Sequence, residues 1–186
     1  MTDTSQNLHE RMNIQEVIQT INHMQADGII DAYAIGGAVG ATFHLEPVST
    51  LDVDIFVSFR TGPGSLLISP RPIYDYLTAQ GCTAEGKYLI IAGWPVQFLP
   101  PTGPLAEEAL AKAVVHDVAG VPARVFTAEY LAAIALQTGR AKDKARLLQF
   151  IESGILDATT LQDILTRHAL AERWAQFQRQ FLSDTP

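Results

Sequence analysis

The chain has 186 residues, 13 Lys+Arg against 20 Asp+Glu, a formal net charge of −7 and one cysteine. At 47% hydrophobic and 18% charged residues it reads as one packed globular unit, and the composition excludes a disordered chain, an intramolecular disulfide framework and a cysteine-rich zinc site. The acidic balance argues against tight non-specific binding of DNA or other nucleic acid, which depends on neutralised phosphates, and the apolar stretches fall well short of the roughly 20 residues a membrane helix needs.

The polar opening from Met1 to Glu10 has neither the order of a signal peptide nor the basic bias of a transit peptide. With the lone Cys82 it points to a reducing, cytoplasmic setting. Leu8, Met12, Ile14, Val17, Ile18, Ile21 and Met24 then recur at helical spacing and stop at Asp27-Gly28, which predicts a first helix. Ile29 to Ile35 is short and β-branched, Gly36-Gly37 follows, and Ala38 to Leu45 is helix-compatible, so the order is strand, glycine turn, helix. Glu46-Pro47 breaks the chain. From Thr50 to Phe59 the residues alternate: Leu51, Val53, Ile55 and Val57 point one way, Asp52, Asp54 and Phe56 the other.

Arg60 to Pro72 reads as a loop, with a short helix from Ile73 to Gln80 after it. Lys87–Ala92 and Pro95–Leu99 form an expected hairpin, Leu105–Ala113 a helix, and Val114–Val118 with Ala123–Phe126 a second hairpin. From Thr127 to Leu182 the pattern is helical throughout, three or four helices, with Thr127 and Glu129 suited to the first cap and Asp157 to a later one. The result is an α+β chain: an α/β lobe over residues 1–126 and a helical lobe over 127–186 packed on it, since no Gly/Ser/Pro linker separates them.

Asp52-Val53-Asp54 is the sharpest chemical feature. Residues two apart on a strand share a face, so the two carboxylates stand side by side and invite a hard cation such as Mg²⁺ that would bridge them to phosphates. Outward-facing acids are also ordinary on a half-exposed strand. Gly36-Gly37, at a strand end and fifteen residues before Asp52, adds backbone amides that can approach phosphate oxygens; a plain tight turn is the other reading. The five histidines lack metal-site spacing, Gly62-Pro-Gly-Ser65 lacks a nucleophile elbow, and there is no Walker loop. Trp94, Phe98, Trp174, Phe177 and Phe181 are expected to pack, and His44 either caps its helix or reaches the acid strand.

Ala34-Ile-Gly-Gly-Ala-Val-Gly40 followed by Ser49-Thr-Leu-Asp-Val-Asp-Ile-Phe56 resembles the opening of the nucleotidyltransferase superfamily. Gly139-Arg-Ala-Lys-Asp-Lys-Ala-Arg-Leu147 is similar to the Arg-x-Lys-Asp motif of its small prokaryotic branch, which includes AbiEii-type toxin nucleotidyltransferases. The resemblance implies a mixed β-sheet flanked by helices, with Gly36 and Gly37 under a triphosphate and Asp52 and Asp54 both holding Mg²⁺ in a one- or two-metal site and serving catalysis. It further implies that Lys142 and Arg140 neutralise phosphate and that Asp143 orients Lys142 or the acceptor, so Lys142 and Asp143 join the catalytic set. Lys87 can reach the phosphates if its hairpin lies beside the acid strand; a solvent-facing lysine is the other reading. Many members carry a third carboxylate on a later strand, and Gln97 stands in that place here; an amide cannot take a proton as a carboxylate does.

Three readings follow. The first is a Mg²⁺-dependent enzyme that moves a nucleoside monophosphate from a nucleoside triphosphate to an acceptor hydroxyl, the acceptor a transfer RNA or protein and the partner a cognate antitoxin by analogy with the toxin branch. The second is a nucleotidyltransferase-fold module that has lost turnover and works by binding nucleotide or a partner. The third is a helical interaction protein with an inert α/β scaffold.

Overall fold

The computed structural model describes residues 3–45, 52–59 and 69–182, with side chains from residue 14 onward. Helix α1 (Asp3–Ala26) comes first. Its Val17, Ile18, Ile21 and Met24 are fully buried, as their helical spacing requires. Strand β1 (Ala32–Ile35), the short α2 (Gly37–Ala41), β2 (Val53–Ser58) and α3 (Arg71–Ala79) follow. Next come β3 (Thr83–Glu85), β4 (Tyr88–Ile91), β5 (Trp94–Leu99), α4 (Pro104–Ala111), β6 (Val114–Val118) and β7 (Val121–Val125). The chain then turns wholly helical through α5 (Ala128–Thr138), α6 (Ala141–Ser153), α7 (Ala158–Arg167) and α8 (Ala171–Phe181).

The strands form one mixed seven-stranded sheet in the order β3-β4-β5-β2-β1-β7-β6. β2, at its centre, runs antiparallel to β1 and parallel to β5. Strand alternation divides the sheet's side chains between two cores. One face carries Tyr33, Ile35, Val53, Ile55, Val57, Leu89, Val96 and Val125 against α1 and α3. The other presents Ala34, Phe56 and Phe126 to a core built from α4 to α8, where Ala132, Leu147 and Phe150 are almost fully buried. Each such buried aliphatic or aromatic side chain contributes about 1.5–3 kcal/mol relative to exposure. Residues on both sides of position 126 thus share one core.

Several local expectations shift. The helix expected over Ala38–Leu45 ends at Ala41, because Gly37 and Gly40 are poor helix formers and turns take over beyond it. The helix expected from Ile73 begins at Arg71, with Pro72 in its first turn, a position where proline's missing N–H costs nothing. β3 is a further strand, invisible as a pattern because its three residues are all exposed. Thr127 is the N-cap of α5 but makes no side-chain cap bond. Glu129 serves a different helix, accepting from the Asp157 backbone N–H at 3.0 Å. Asp157 caps α7 as expected, its carboxylate accepting from Thr160 N at 2.7 Å. The Glu46-Pro47 break, Ser49, Thr50, Leu51 and the part of the expected loop from Arg60 to Ile68, Ser65 included, lie outside the described residues. Among the described residues, no helix is long and apolar enough to cross a membrane.

Candidate functional site

β2 alternates buried and half-buried positions along its length. Val53, Ile55 and Val57 enter the first core, which leaves Asp52 just ahead of the strand and Asp54 and Phe56 within it on the opposite face. The parallel register of β2 with β5 sets Gln97 directly beside Asp54. The residue expected where a third carboxylate would stand is therefore next to the acid pair. From β4, the Tyr88 hydroxyl donates to Asp52 Oδ2 at 3.2 Å. Lys87, one residue earlier, holds its ammonium 4.9 Å from the centre of the Tyr88 ring, a cation–π distance.

The two glycines have separate tasks. Gly37 has φ of +58°, and a β-carbon there would collide with the Asp54 carboxylate. Glycine is required because the α2 turn comes right against the acid strand. Gly36 donates its N–H to the Asp54 carbonyl at 2.9 Å, and a β-carbon on it would come within 2.6 Å of the Phe56 ring. Gly37 lines the cavity in front of Asp54; Gly36 sits behind it under Phe56 and Phe126. Close backbone packing thus accounts for both glycines.

Across from the acids stand α5 and the start of α6. Together they close a cavity of about 290 Å³ lined by Asp52, Asp54, Lys87, Gln97, Arg140, Lys142, Asp143 and Arg146, with Phe126, Leu131 and Ile134 among its apolar wall. α6 opens on Arg140, its N-cap. Cations at a helix N-terminus meet an unfavourable dipole, and Asp143 in the first turn offsets it. Asp143 is 2% exposed; it accepts from Arg140 Nε at 2.6 Å and has an Arg146 Nη1 at 3.8 Å. The resemblance implies that Asp143 orients Lys142 or the acceptor; its side-chain partners in the structure are Arg140 and Arg146.

Burial pushes the Asp54 carboxyl above the usual range, and the neighbouring charge of Asp52 pushes it further, while Lys142, Lys87 and Arg146 pull it down. The basic wall thus compensates the Asp54 carboxylate only in part. Among the described residues no three His, Cys, Asp or Glu side chains gather as a metal cluster. Among the described residues the candidate donors are the Asp52 and Asp54 carboxylates and the Gln97 amide oxygen; Asp143 is engaged by arginine. That set suits Mg²⁺, which keeps several waters and is held by one or two carboxylates plus substrate phosphates.

All the site residues drawn from the sequence except Gly36 line this one cavity. Arg146 joins them in the lining, and Tyr88 reaches Asp52 through its hydroxyl; neither is among the sequence-derived site residues. Arg146 lies in the basic stretch 140–146, three residues and just under one helical turn beyond Asp143, and that i, i+3 spacing is its signal in the sequence; Tyr88 has none beyond adjacency to Lys87. His44 does not reach the acids: its Nε2 lies 2.8 Å from the Phe126 carbonyl, and its ring meets His116 edge-on at 5.4 Å. Trp174 and Phe177 stack at 6.0 Å on α8, in their expected packing role.

No protein-family model matches the chain and no curated protein matches its sequence. Solved structures do match. One is an antigenic nucleotidyltransferase-like protein from Paracoccidioides brasiliensis, with a TM-score of 0.51 and 16% identity, over 87% of this chain and 91% of that one. Another is the solution structure of the antibiotic-resistance factor ANT(2'')-Ia, with a TM-score of 0.51 and 16% identity, over 92% of this chain and 96% of that one. The chain therefore has the fold of nucleotidyltransferase-like proteins, a mixed sheet flanked by helices, in keeping with the class implied by the sequence motifs.

Proposed function

We propose that the chain is a Mg²⁺-dependent nucleotidyltransferase that transfers a nucleoside monophosphate from a nucleoside triphosphate to an acceptor hydroxyl. The observation that carries this reading is the meeting, in one cavity, of the Asp52–Asp54 pair with Lys87, Arg140, Lys142 and Arg146. An acidic chain that gathers cations around two carboxylates suits a ligand that is itself polyanionic and brings a metal with it.

When bound, Mg²⁺ would supply charge neutralisation at the triphosphate, held by Asp52 and Asp54. Tyr88 fixes the Asp52 carboxylate through its hydroxyl. Lys142, Arg146 and Lys87 take up the charge that develops on the pyrophosphate as it leaves, and Asp143 keeps the arginines turned inward. The acceptor oxygen bonds to the α-phosphorus, the bond to the bridging oxygen breaks, and the acceptor's proton passes to solvent, because the Gln97 amide has no basic site. The apolar wall of Phe126, Leu131 and Ile134 offers the base or the acceptor a dry surface. A transfer RNA or protein acceptor, membership of the AbiEii-type branch and a cognate antitoxin belong to this proposal through the sequence motifs alone. A second reading, nucleotide binding without transfer, draws support from one observation, the amide of Gln97 beside Asp54.

Thermal melts with each of the four nucleoside triphosphates, with and without Mg²⁺, test the site. A ligand at 100 times its dissociation constant adds about 2.7 kcal/mol to stability. The expected outcome is a rise in Tm that needs both metal and triphosphate and vanishes in the Asp52→Asn/Asp54→Asn double variant. An unchanged Tm with every nucleotide, or an undiminished rise in the double variant, would refute the assignment. Release of pyrophosphate on adding candidate acceptors then separates transfer from binding alone.

A further inference from the structure

Resting on that reading, we infer that the site takes one divalent cation per bound nucleotide, that its lysines and arginines stand in for a second, and that Gln97 sets this count. A cation shared between the Asp52 and Asp54 carboxylates and a triphosphate draws on both of them. A second cation would need an anionic donor of its own. The position beside Asp54 on β5 is the natural source, and it holds Gln97, whose carbonyl oxygen can ligate but brings no charge.

Among the described residues, Asp143 is the other carboxylate in the cavity lining, and it is committed. Its side chain is 3% exposed and paired with Arg140 and with Arg146, which is itself only 16% exposed. Turning it toward a metal would strand a largely buried guanidinium, which is strongly unfavourable. The basic wall also opposes a second dication directly, since Lys142, Lys87 and Arg146 all lie close enough to Asp54 to act on its charge and would repel another cation there. Those same groups can stabilise a leaving pyrophosphate without any metal.

Equilibrium dialysis of the full chain against Mn²⁺ and the α,β-methylene analogue of each nucleoside triphosphate, with bound Mn²⁺ counted by electron paramagnetic resonance, reads the stoichiometry without turnover. One Mn²⁺ per bound nucleotide is expected for the wild type and two for Gln97→Asp, the variant's fold being checked by circular dichroism. Gln97→Glu provides a second carboxylate variant should Gln97→Asp not fold. Two Mn²⁺ on the wild type overturn the inference while leaving the nucleotidyltransferase reading standing. One Mn²⁺ on folded carboxylate variants overturns the role given to Gln97. Absence of bound nucleotide on the wild type overturns the functional reading itself, and the inference with it.

Discussion

Two acidic centres in this molecule receive opposite treatment. Glu108 on α4 accepts from the Tyr130 hydroxyl at 2.5 Å and from Arg167 Nη1 at 2.6 Å, and lies 2.8 Å from His168 Nε2. Arg167, and then Tyr130, hold its carboxyl down at about 2. Asp54 is pushed up instead, by burial and by Asp52. The Glu108 node is a closed set of partners that ties α4, α5 and α7 together. The Asp54 site is an open one, where a largely buried carboxylate stands beside a like charge and the basic wall offsets this only in part. Charge relieved only in part is what a ligand can relieve further, so the comparison sets a structural cluster beside a candidate ligand site.

Breaking the closed node has the largest expected effect on stability. Glu108→Ala strands the Tyr130 hydroxyl and the His168 ring, 5% and 9% exposed respectively, which lowers the unfolding free energy by about 1–3 kcal/mol. The half-exposed Arg167 pair adds little to that. Urea unfolding checks it; an unchanged midpoint would mean the node is decorative.

The pH dependence sharpens the contrast. Because the Glu108 carboxyl is lowered from 4.5 to about 2, its stabilising contribution is complete above the unfolded value and is lost as pH falls through the folded one. The difference in Tm between wild type and Glu108→Gln is therefore expected to hold near neutrality and to shrink toward zero between about 4.5 and about 2. A constant difference across that window would contradict the assignment.

The smallest effect has the opposite sign. Asp54→Asn, without ligand, removes a buried charge and its repulsion with Asp52, and raises Tm by about 2–4 °C, the shift that ~1 kcal/mol produces in a chain of this size. A fall in Tm in ligand-free protein would show that the basic wall already satisfies Asp54, and the contrast with Glu108 would collapse.

Much of the site was legible before any coordinates. Period-2 alternation is strict, so the face shared by Asp52 and Asp54 could be read from Val53, Ile55 and Val57. The Asp157 cap was equally local, since side chain and accepted N–H are three residues apart. Glu129 misled because its own helix start is a plausible partner, yet the bond goes to a residue 28 positions away. Glu108 carries no local signal, because its partners lie on α5 and at the end of α7. Gly36-Gly37 is legible as a turn, one that approaches phosphate or a plain tight one, but the side chains of Asp54 and Phe56 that press on it and demand glycine come from a strand no local pattern pairs with it.

By itself the sequence determined the phase of each element: which residues of α1 and β2 turn inward, where acid must face outward, and that the helices come last. Those are properties of a repeat of 3.6 or 2.0 residues, written in neighbouring side chains. Only the tertiary structure decided the partners: Asp143 with two arginines, Gln97 beside Asp54, Tyr88 on Asp52, and α6 brought across the cavity from β2. Partnership between distant segments depends on sheet order and on which core a helix enters, and the free energy that selects it is spread over the whole packed interior, with no short stretch of chain carrying its signature.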